Sequence, residues 1–432
     1  MVLKSSLTHS KVLTFIKKNM KLLIIEPNAD GHHFLPYLQY FAVAAQNAGI
    51  SIQLMTTAGA AAHPAMATVQ SALAKPMPVV LMPDAPPIRS GSTLALFARQ
   101  RVAYKTVVQG YSAIAKADRP SHILLMCMDG FDRWFALFGS PFGNISYSGL
   151  HIGLKFHLNK LGFAPAGRLA RVNQWLFTRL LKHKTLFAAA SIDESLLTFY
   201  ANQPKLLKKL RFVPDPGEVG LTESPKFARS QLAIAPEQFA LMTYGGIGMR
   251  KNLGLLLQCA AQIPEIILIL AGRMEAEARQ LCQNSPFAET LRVENRFLCF
   301  DQFIEPALES RLFAATDCVW LCYSPDFYGQ SAVLAQSASA GKPILGRKGG
   351  QIGYITELHK LGPTAAPDDA SEIAAKLRQL IDDTALRQQF SENAAKFAPS
   401  RNAAAFGSAM LRCIPSYCFP GGYSSTVNSP IS

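Results

Sequence analysis

Short apolar runs recur along the chain, each ending in polar or Gly residues and followed by a stretch with helical periodicity. The segment KLLIIEPNADGHHFLPYLQYFAVAAQNAGISIQLMTT, from Lys21, predicts a strand, a Gly-containing loop, an amphipathic helix and a second strand. HILLMCMDG (122–130) and NISYSGLH (144–151) predict further strands that end in polar residues. Residues 168–187 place Leu169, Val172, Leu176 and Leu180 at helical spacing, with Arg171, Arg179, Lys182 and Lys184 on the polar face. Such a helix either packs on the core or lies on a membrane interface. LFAAASIDESL then predicts a short strand and a helix capped near Ser191 or Asp193.

The Pro- and Gly-rich stretch RFVPDPGEVG (211–220) marks a domain boundary, after which the alternation restarts. FALMTYGGIGMRKNLGLLLQCAAQ, EIILILAG, VENRFLCFDQF, ESRLFAATDCVWLCY and GQSAVLAQSASAGKPIL follow in turn. Strands alternating with helices twice over predict two doubly wound α/β domains with a cleft between them. The expected organisation is a basic arm over 1–19, a first domain over 20–215, a second over 216–395, a helix over 396–414 and a disordered tail over 415–432.

Composition narrows the class. The chain has 432 residues, 49% of them hydrophobic and 17% charged, which suits a globular protein with ample core. Its eight Cys form no C-x-x-C pair, and several sit in apolar runs, so reduced buried thiols in the cytoplasm are expected. The sequence has no apolar run long enough for a spanning helix, and the first residues lack the apolar core of a signal peptide. Residues 1–215 hold 24 Lys and Arg against 9 Asp and Glu, so the whole net charge of +14 lies in the first half. That asymmetry attracts anionic partners. Nucleic acid is not expected, because no nucleic-acid motif is present. An anionic membrane surface or a phosphorylated lipid acceptor is the partner this charge suits.

Candidate chemistry clusters at strand ends. In TYGGIGMRKNL (243–253), Gly245, Gly246 and Gly248 let backbone N–H groups approach a ligand, and Arg250 and Lys251 add two cations. The set suits a diphosphate; the plain alternative is a loop with two solvated cations. Gln330 and Ser331 open a helix directly after Gly329, giving a second anion cradle or an ordinary Ser331 N-cap. LGRKGGQIGYITE (345–357) puts Gly349 and Gly350 at a third strand end, and the three ends converge at the domain's crevice. In the first half, Asp30, Gly31, His32 and His33 occupy one strand–helix junction, and His151 and Asp129 lie at other strand ends. No third ligand has suitable spacing to these histidines, so a metal is not expected. They read instead as binding or acid–base groups, or as surface histidines. Asp129 and Asp132 read as acceptor-side or structural.

These residues resemble a family. YGGIGMRKNL, EIILILAG, VENRFLCFDQFIEPALESRLFAATDCVWLCY, ASAGKPIL and ASEIAAKLRQLIDDTALRQQFSENAAKF, in this order, look like the nucleotide-binding domain of retaining GT-B glycosyltransferases of the large fourth family. EPNADGHHFLPYL and the His ending PFGNISYSGLH extend the match into the first half. The resemblance implies two Rossmann-like domains facing a cleft, with the C-terminal helix crossing back to the first domain. It implies that Arg250 and Lys251 hold the donor diphosphate and that Gly31 lies against the donor phosphates and the sugar; by their strand-end positions, Gly246, Gly329, Gln330, Ser331 and Gly350 are expected to line the donor as well. It makes His151 the catalytic His near the reacting carbon; His32 and Asp129, by their strand-end positions, are expected on the acceptor side. The family usually has two Glu separated by seven residues; Tyr328 and Gln336 stand at those positions here. Gln336 retains hydrogen-bonding capacity toward ribose, whereas Tyr328 offers no carboxylate to the sugar.

The expected activity is metal-independent hexosyl transfer with retention. It needs no cofactor beyond the nucleotide-diphosphate sugar as co-substrate. The acceptor is lipid-linked or a surface polysaccharide, and the expected location is cytoplasmic, peripheral at the inner face of the membrane. Loss of both acids makes a non-catalytic nucleotide-sugar-binding protein the first alternative, and a nucleotide-sugar epimerase the second.

Overall fold

The structure, a computed structural model, describes residues 21–84 and 93–419. The arm expected over 1–19 lies outside the described residues, as does the expected tail beyond Phe419. The described chain divides into two units, one running to His157 and including Gly167–Pro214 and the chain from Ala404, the other Leu158–Ala166 and Asp215–Ala403.

The first unit is built on seven parallel strands: β1 (Lys21–Ile25), β2 (Ser51–Thr57), β3 (Val79–Met82), β4 (His122–Leu125), β5 (Ser146–His151), β6 (Leu186–Ser191) and β7 (Leu210–Phe212). Their order is β3-β2-β1-β4-β5-β6-β7, so the winding reverses between β1 and β4. Parallel strands covered on both faces read as unbroken apolar runs, and in KLLII every residue after Lys21 is buried. Successive side chains point to opposite faces. Leu22 and Ile24 join a core with Phe34, Tyr37 and Phe41, while Leu23 and Ile25 join one with Val107, Phe135 and Leu180.

Four helices of this unit matter below: α1 (Gln39–Asn47), α2 (Thr93–Ala113), α3 (Asp132–Phe138) and α4 (Ala170–Leu181). The helix expected over 168–187 is shorter, because Leu186 already belongs to β6. Its buried face is also rotated from the expected one. Leu176, Phe177, Leu180 and Leu181 are buried, whereas Val172 is 49% exposed.

The second unit has six parallel strands: β8 (Phe239–Tyr244), β9 (Ile266–Ala271), β10 (Phe297–Phe300), β11 (Cys318–Leu321), β12 (Ile344–Arg347) and β13 (Thr364–Ala365). Their order, β10-β9-β8-β11-β12-β13, again reverses beside the first strand of the unit. The central β8 and β9 are buried along their whole length. Ligands of such sheets bind at the carboxyl ends of the strands beside this reversal. The helices that frame those ends are α5 (Leu253–Gln262), α6 (Pro306–Ala315), α7 (Ala332–Ser339) and α8 (Gly350–Leu358).

A last helix, α9 (Ala403–Leu411), returns the chain to the first unit, where Phe406, Ala409 and Met410 enter the core with Tyr37 and Phe41. The Tyr37 and Phe406 rings stack with centroids 5.2 Å apart. The tail expected from residue 415 is still packed as far as Phe419. Cys418 and Phe419 are buried in the same core, and the Tyr417 hydroxyl lies 2.5 Å from Ser146 Oγ. These apolar residues find a core that the Ser/Pro/Gly-rich composition around them conceals. Among the described residues no helix is long and apolar enough to cross a membrane.

Candidate functional site

The turn after β8 carries the densest chemistry of the second unit. Gly245 has φ +86, a left-handed conformation that favours Gly and turns the chain sharply at the strand end. Met249–Lys251 form a single 3-10 turn, and Asn252 then opens α5. That turn directs Lys251 inward, where it is fully buried. Its Nζ donates to the Tyr244 carbonyl and, at 2.9 Å, to the Tyr323 hydroxyl. Its own carbonyl accepts the Trp320 indole N–H at 2.8 Å. Burial pulls the ammonium below its ordinary pKa, and among the described residues no carboxylate compensates its charge.

Tyr323 links the first two strand ends. Its hydroxyl lies 3.2 Å from Ser331 Oγ, and the guanidinium of exposed Arg250 sits 5.7 Å from its ring centroid. Burial opposes ionisation of this phenol, but the charge and hydrogen bond of Lys251 outweigh it and hold the pKa below the ordinary value. Ser331 makes no side-chain cap to α7. Of the two readings of Ser331, anion cradle or ordinary N-cap, the side-chain cap is not made, and the hydroxyl lies against Tyr323 instead.

The loop between β11 and α7 is pinned from β12. Arg347, 4% exposed, donates to the carbonyls of Ser324 (2.9 Å), Pro325 (3.2 Å) and Phe327, and its guanidinium lies 4.7 Å from the Tyr328 ring centroid. Gly350 has φ +67, and a Cβ there would lie 3.1 Å from Tyr328 Cα. The Gly350 and Gln351 N–H groups donate to the carbonyls of Phe163 and Tyr328, both at 3.0 Å. The third Gly-rich strand end, where Gly350 is expected to line the donor, thus spends these N–H groups on the protein itself, and Gly350 lets the loop approach. Gly246 stays exposed, Gly329 and Gln330 are half-buried, and Gln330 Oε1 is a buried acceptor without a partner.

A carboxylate does stand beside Gln336, but it comes from α6. Gln336 Nε2 donates to Glu309 Oε1 at 3.1 Å, and the Tyr244 hydroxyl donates to the same oxygen at 2.7 Å. Burial raises the Glu309 pKa.

In the first unit, β1 is followed by Glu26, which is 1% exposed and holds His33 Nδ1 at 2.9 Å. Burial works against protonation of His33, yet the Glu26 carboxylate raises its pKa overall. Gly31 and His32 are exposed, and the His32 ring stacks on Tyr37. Asp129 joins two strand ends by accepting the N–H groups of Ile152 (2.7 Å) and Gly153 (3.1 Å). Asp132 accepts from Gln100 at 2.8 Å, and burial followed by the nearby Asp129 pushes its pKa up to about 7. His151 is buried, with Nδ1 3.2 Å from the Ala190 carbonyl, so Nδ1–H donates there and Nε2 is left as a buried acceptor without a partner. Burial lowers its pKa and keeps the ring neutral. His157, Asp193 and Ser195 form a separate buried cluster that staples the fold.

Lys251, Arg250 and Ser331 therefore gather around Tyr323, and Tyr328 is fixed against Gly350. His151 and Asp129 lie in the other unit. Tyr323, Glu309, Arg347 and Glu26 are the residues that sequence reasoning missed. Only Glu26 carried a visible signal, as the charged residue that closes the first apolar run. Among the described residues there is no group of three or more His, Cys, Asp or Glu that could hold a metal ion.

Comparison with known proteins places these observations. Residues 225–397 match the family model of glycosyl transferases group 1. No curated protein matches the chain. Among solved structures, sucrose-phosphate synthase from Thermosynechococcus elongatus is similar with a TM-score of 0.65 at 15% identity, over 91% of this chain and 98% of that one. HepE of Anabaena in complex with UDP gives 0.63 at 16% identity, over 91% and 99%. WaaG, a glycosyltransferase involved in lipopolysaccharide biosynthesis, gives 0.60 at 15%, over 90% and 99%. The chain thus has the GT-B glycosyltransferase fold of two Rossmann-like domains, and its second domain is similar to glycosyl transferases group 1.

Proposed function

We propose that the protein is a retaining glycosyltransferase. It moves a hexosyl group from a nucleotide-diphosphate donor to a lipid-linked or polysaccharide acceptor, without a metal ion, and its basic first half works at an anionic membrane surface. The observation that carries the reading is Lys251: a fully buried ammonium with only a carbonyl and a phenol as partners, beside Arg250 and an uncapped helix start. A diphosphate supplies the missing negative charge, and each charge-assisted hydrogen bond contributes about 1.5–3 kcal/mol. The match to group 1 glycosyltransferases supports the reaction class, and HepE in its complex with UDP supports a nucleoside diphosphate as ligand.

In this reading the bond from the sugar to the diphosphate breaks as the bond to the acceptor oxygen forms. The acceptor proton passes to the departing phosphate. Lys251, Arg250 and the start of α7 stabilise the charge that develops there. His151, neutral and with Nε2 free to accept, holds a sugar hydroxyl. Gln336 and Glu309 accept the ribose hydroxyls, so the carboxylate of this subsite comes from α6. Tyr328 faces the sugar.

The test is transfer from labelled UDP-, GDP- and ADP-sugars to membrane lipid and polysaccharide acceptors, with and without EDTA. Transfer unaffected by EDTA, with the anomeric configuration kept, is the expected result. Tight nucleotide-sugar binding without turnover across the panel favours the non-catalytic alternative, for which the missing acids at 328 and 336 already speak.

A further inference from the structure

We propose that the outer face of α3 and α4 in the first unit is a docking surface for an anionic lipid bilayer, with Phe138 and Trp175 entering the headgroup layer. The membrane role rests on the reading above for its purpose, but its grounds are separate. Phe138 is 63% exposed, Trp175 54% and Val172 49%. Single exposed apolar residues are common on any protein; these are tied to one another. The Phe138 ring stacks on Trp134 at 4.7 Å, in the last turn of α3. Arg179 of α4 donates to the Ala136 carbonyl in that same turn at 2.6 Å, and its guanidinium lies 5.9 Å from the Trp175 ring centroid. Arg179 thus ties Trp175 of α4 to the turn of α3 that ends in Phe138.

Along α4 and its flanks the charge has one sign. Residues 167–192 contain five Lys or Arg and neither Asp nor Glu. On α4 the buried residues are Leu176, Phe177, Leu180 and Leu181, so Arg171, Val172, Trp175 and Arg179 form its outward stripe. A helix with cations and a Trp outward and Leu inward has the composition of an interfacial element. A second copy of the chain fits poorly, because a twofold contact would set cations against cations. A nucleic-acid backbone would meet the cations but leave Phe138 and Val172 without an apolar environment. Anionic lipid satisfies both.

The experiment uses the full chain and vesicles of phosphatidylglycerol and phosphatidylcholine in equal parts, with no nucleotide sugar present. Co-sedimentation is expected at low salt and weakens as salt rises. Arg171→Gln with Lys182→Gln lowers the partition coefficient about fivefold per charge at low salt. Phe138→Ala with Trp175→Ala lowers it about tenfold at both low and high salt. Melting temperature confirms that each variant folds. Trp175 emission shifts to the blue on vesicle binding, and Trp175→Phe removes the shift. Either of two results overturns the proposal: both double variants partitioning like the parent chain, or the aromatic variant dissociating a dimer while vesicle binding persists. Lipid binding with no sugar transfer sinks only the enzymatic reading; transfer to a soluble acceptor with no lipid binding sinks only this one.

Discussion

The side-chain amide of Gln336 donates to Glu309 Oε1 at 3.1 Å, pairing one residue from α7 with one from α6. The Tyr244 phenol approaches the same oxygen, so the carboxylate is held from two sides. Exchanging the two side chains tests the pair. Glu309→Gln alone removes the negative charge and weakens UDP binding about tenfold. Gln336→Glu alone sets two carboxylates against each other, weakening UDP binding and lowering the melting temperature. The double variant restores one carboxylate and one amide and recovers most of both losses. Titration calorimetry with UDP measures the cycle; additive losses in the double variant refute a shared subsite.

Lys251→Met, combined with Arg250→Ala, separates binding from folding. The parent buries an ammonium without a counter-charge, which costs stability, while its hydrogen bonds to Tyr244 and Tyr323 return some of it. These terms oppose each other, so the melting temperature moves by only a few degrees. UDP affinity, which depends on the cations, drops at least about a hundredfold. Unchanged affinity removes the diphosphate assignment.

Asp132 gives a pH signature. Its pKa is raised from 3.8 to about 7 by burial, so its carboxyl favours the neutral form in the folded chain. Stability attached to this group is complete below the unfolded value and declines as pH rises through about 7. Asp132→Asn stays neutral and keeps an acceptor for Gln100. The variant melts with the parent near pH 4 and several degrees above it at pH 8. Thermal melts across this range decide the matter; a variant less stable at pH 8 means that the charged form is favoured instead.

Gly350→Ala strains the loop that carries Tyr328. The residue has φ +67, and the added Cβ would lie 3.1 Å from Tyr328 Cα and 3.2 Å from its carbonyl oxygen. The expected cost is about 1–3 kcal/mol, read as a lower midpoint in urea. Gly246→Ala has open space around it and serves as the control.

The alternation of apolar runs and helices made both sheets legible, because strands buried on two faces, such as KLLII and IILILA, leave no other reading of their length and composition. Arg250, Lys251 and Ser331 were legible as strand-end residues for the same reason. What stayed hidden depends on contacts distant in sequence. Glu309 lies 27 positions before Gln336 on another helix, and Tyr323 reaches Lys251 across 72 positions. Gly350 was legible as a Gly at a strand end, but its N–H is spent on Phe163, which no local pattern reveals. The face of α4 differs because period counting includes Val172, whereas the residues that enter the core are Leu176, Phe177, Leu180 and Leu181.

The return of α9 has a consequence for how the protein is made. Phe406, Met410, Cys418 and Phe419 complete the core around Tyr37 and Phe41, and Ser148 donates to the Cys413 carbonyl at 2.6 Å. Residues translated early thus wait for residues translated more than three hundred positions later. On the ribosome the second domain has nearly all of its chain before the first domain has its own closing helix. Of these two domains, the one begun earlier is the one finished later, and a nascent chain that stalls before residue 406 leaves that apolar wall of α1 uncovered for chaperones to hold.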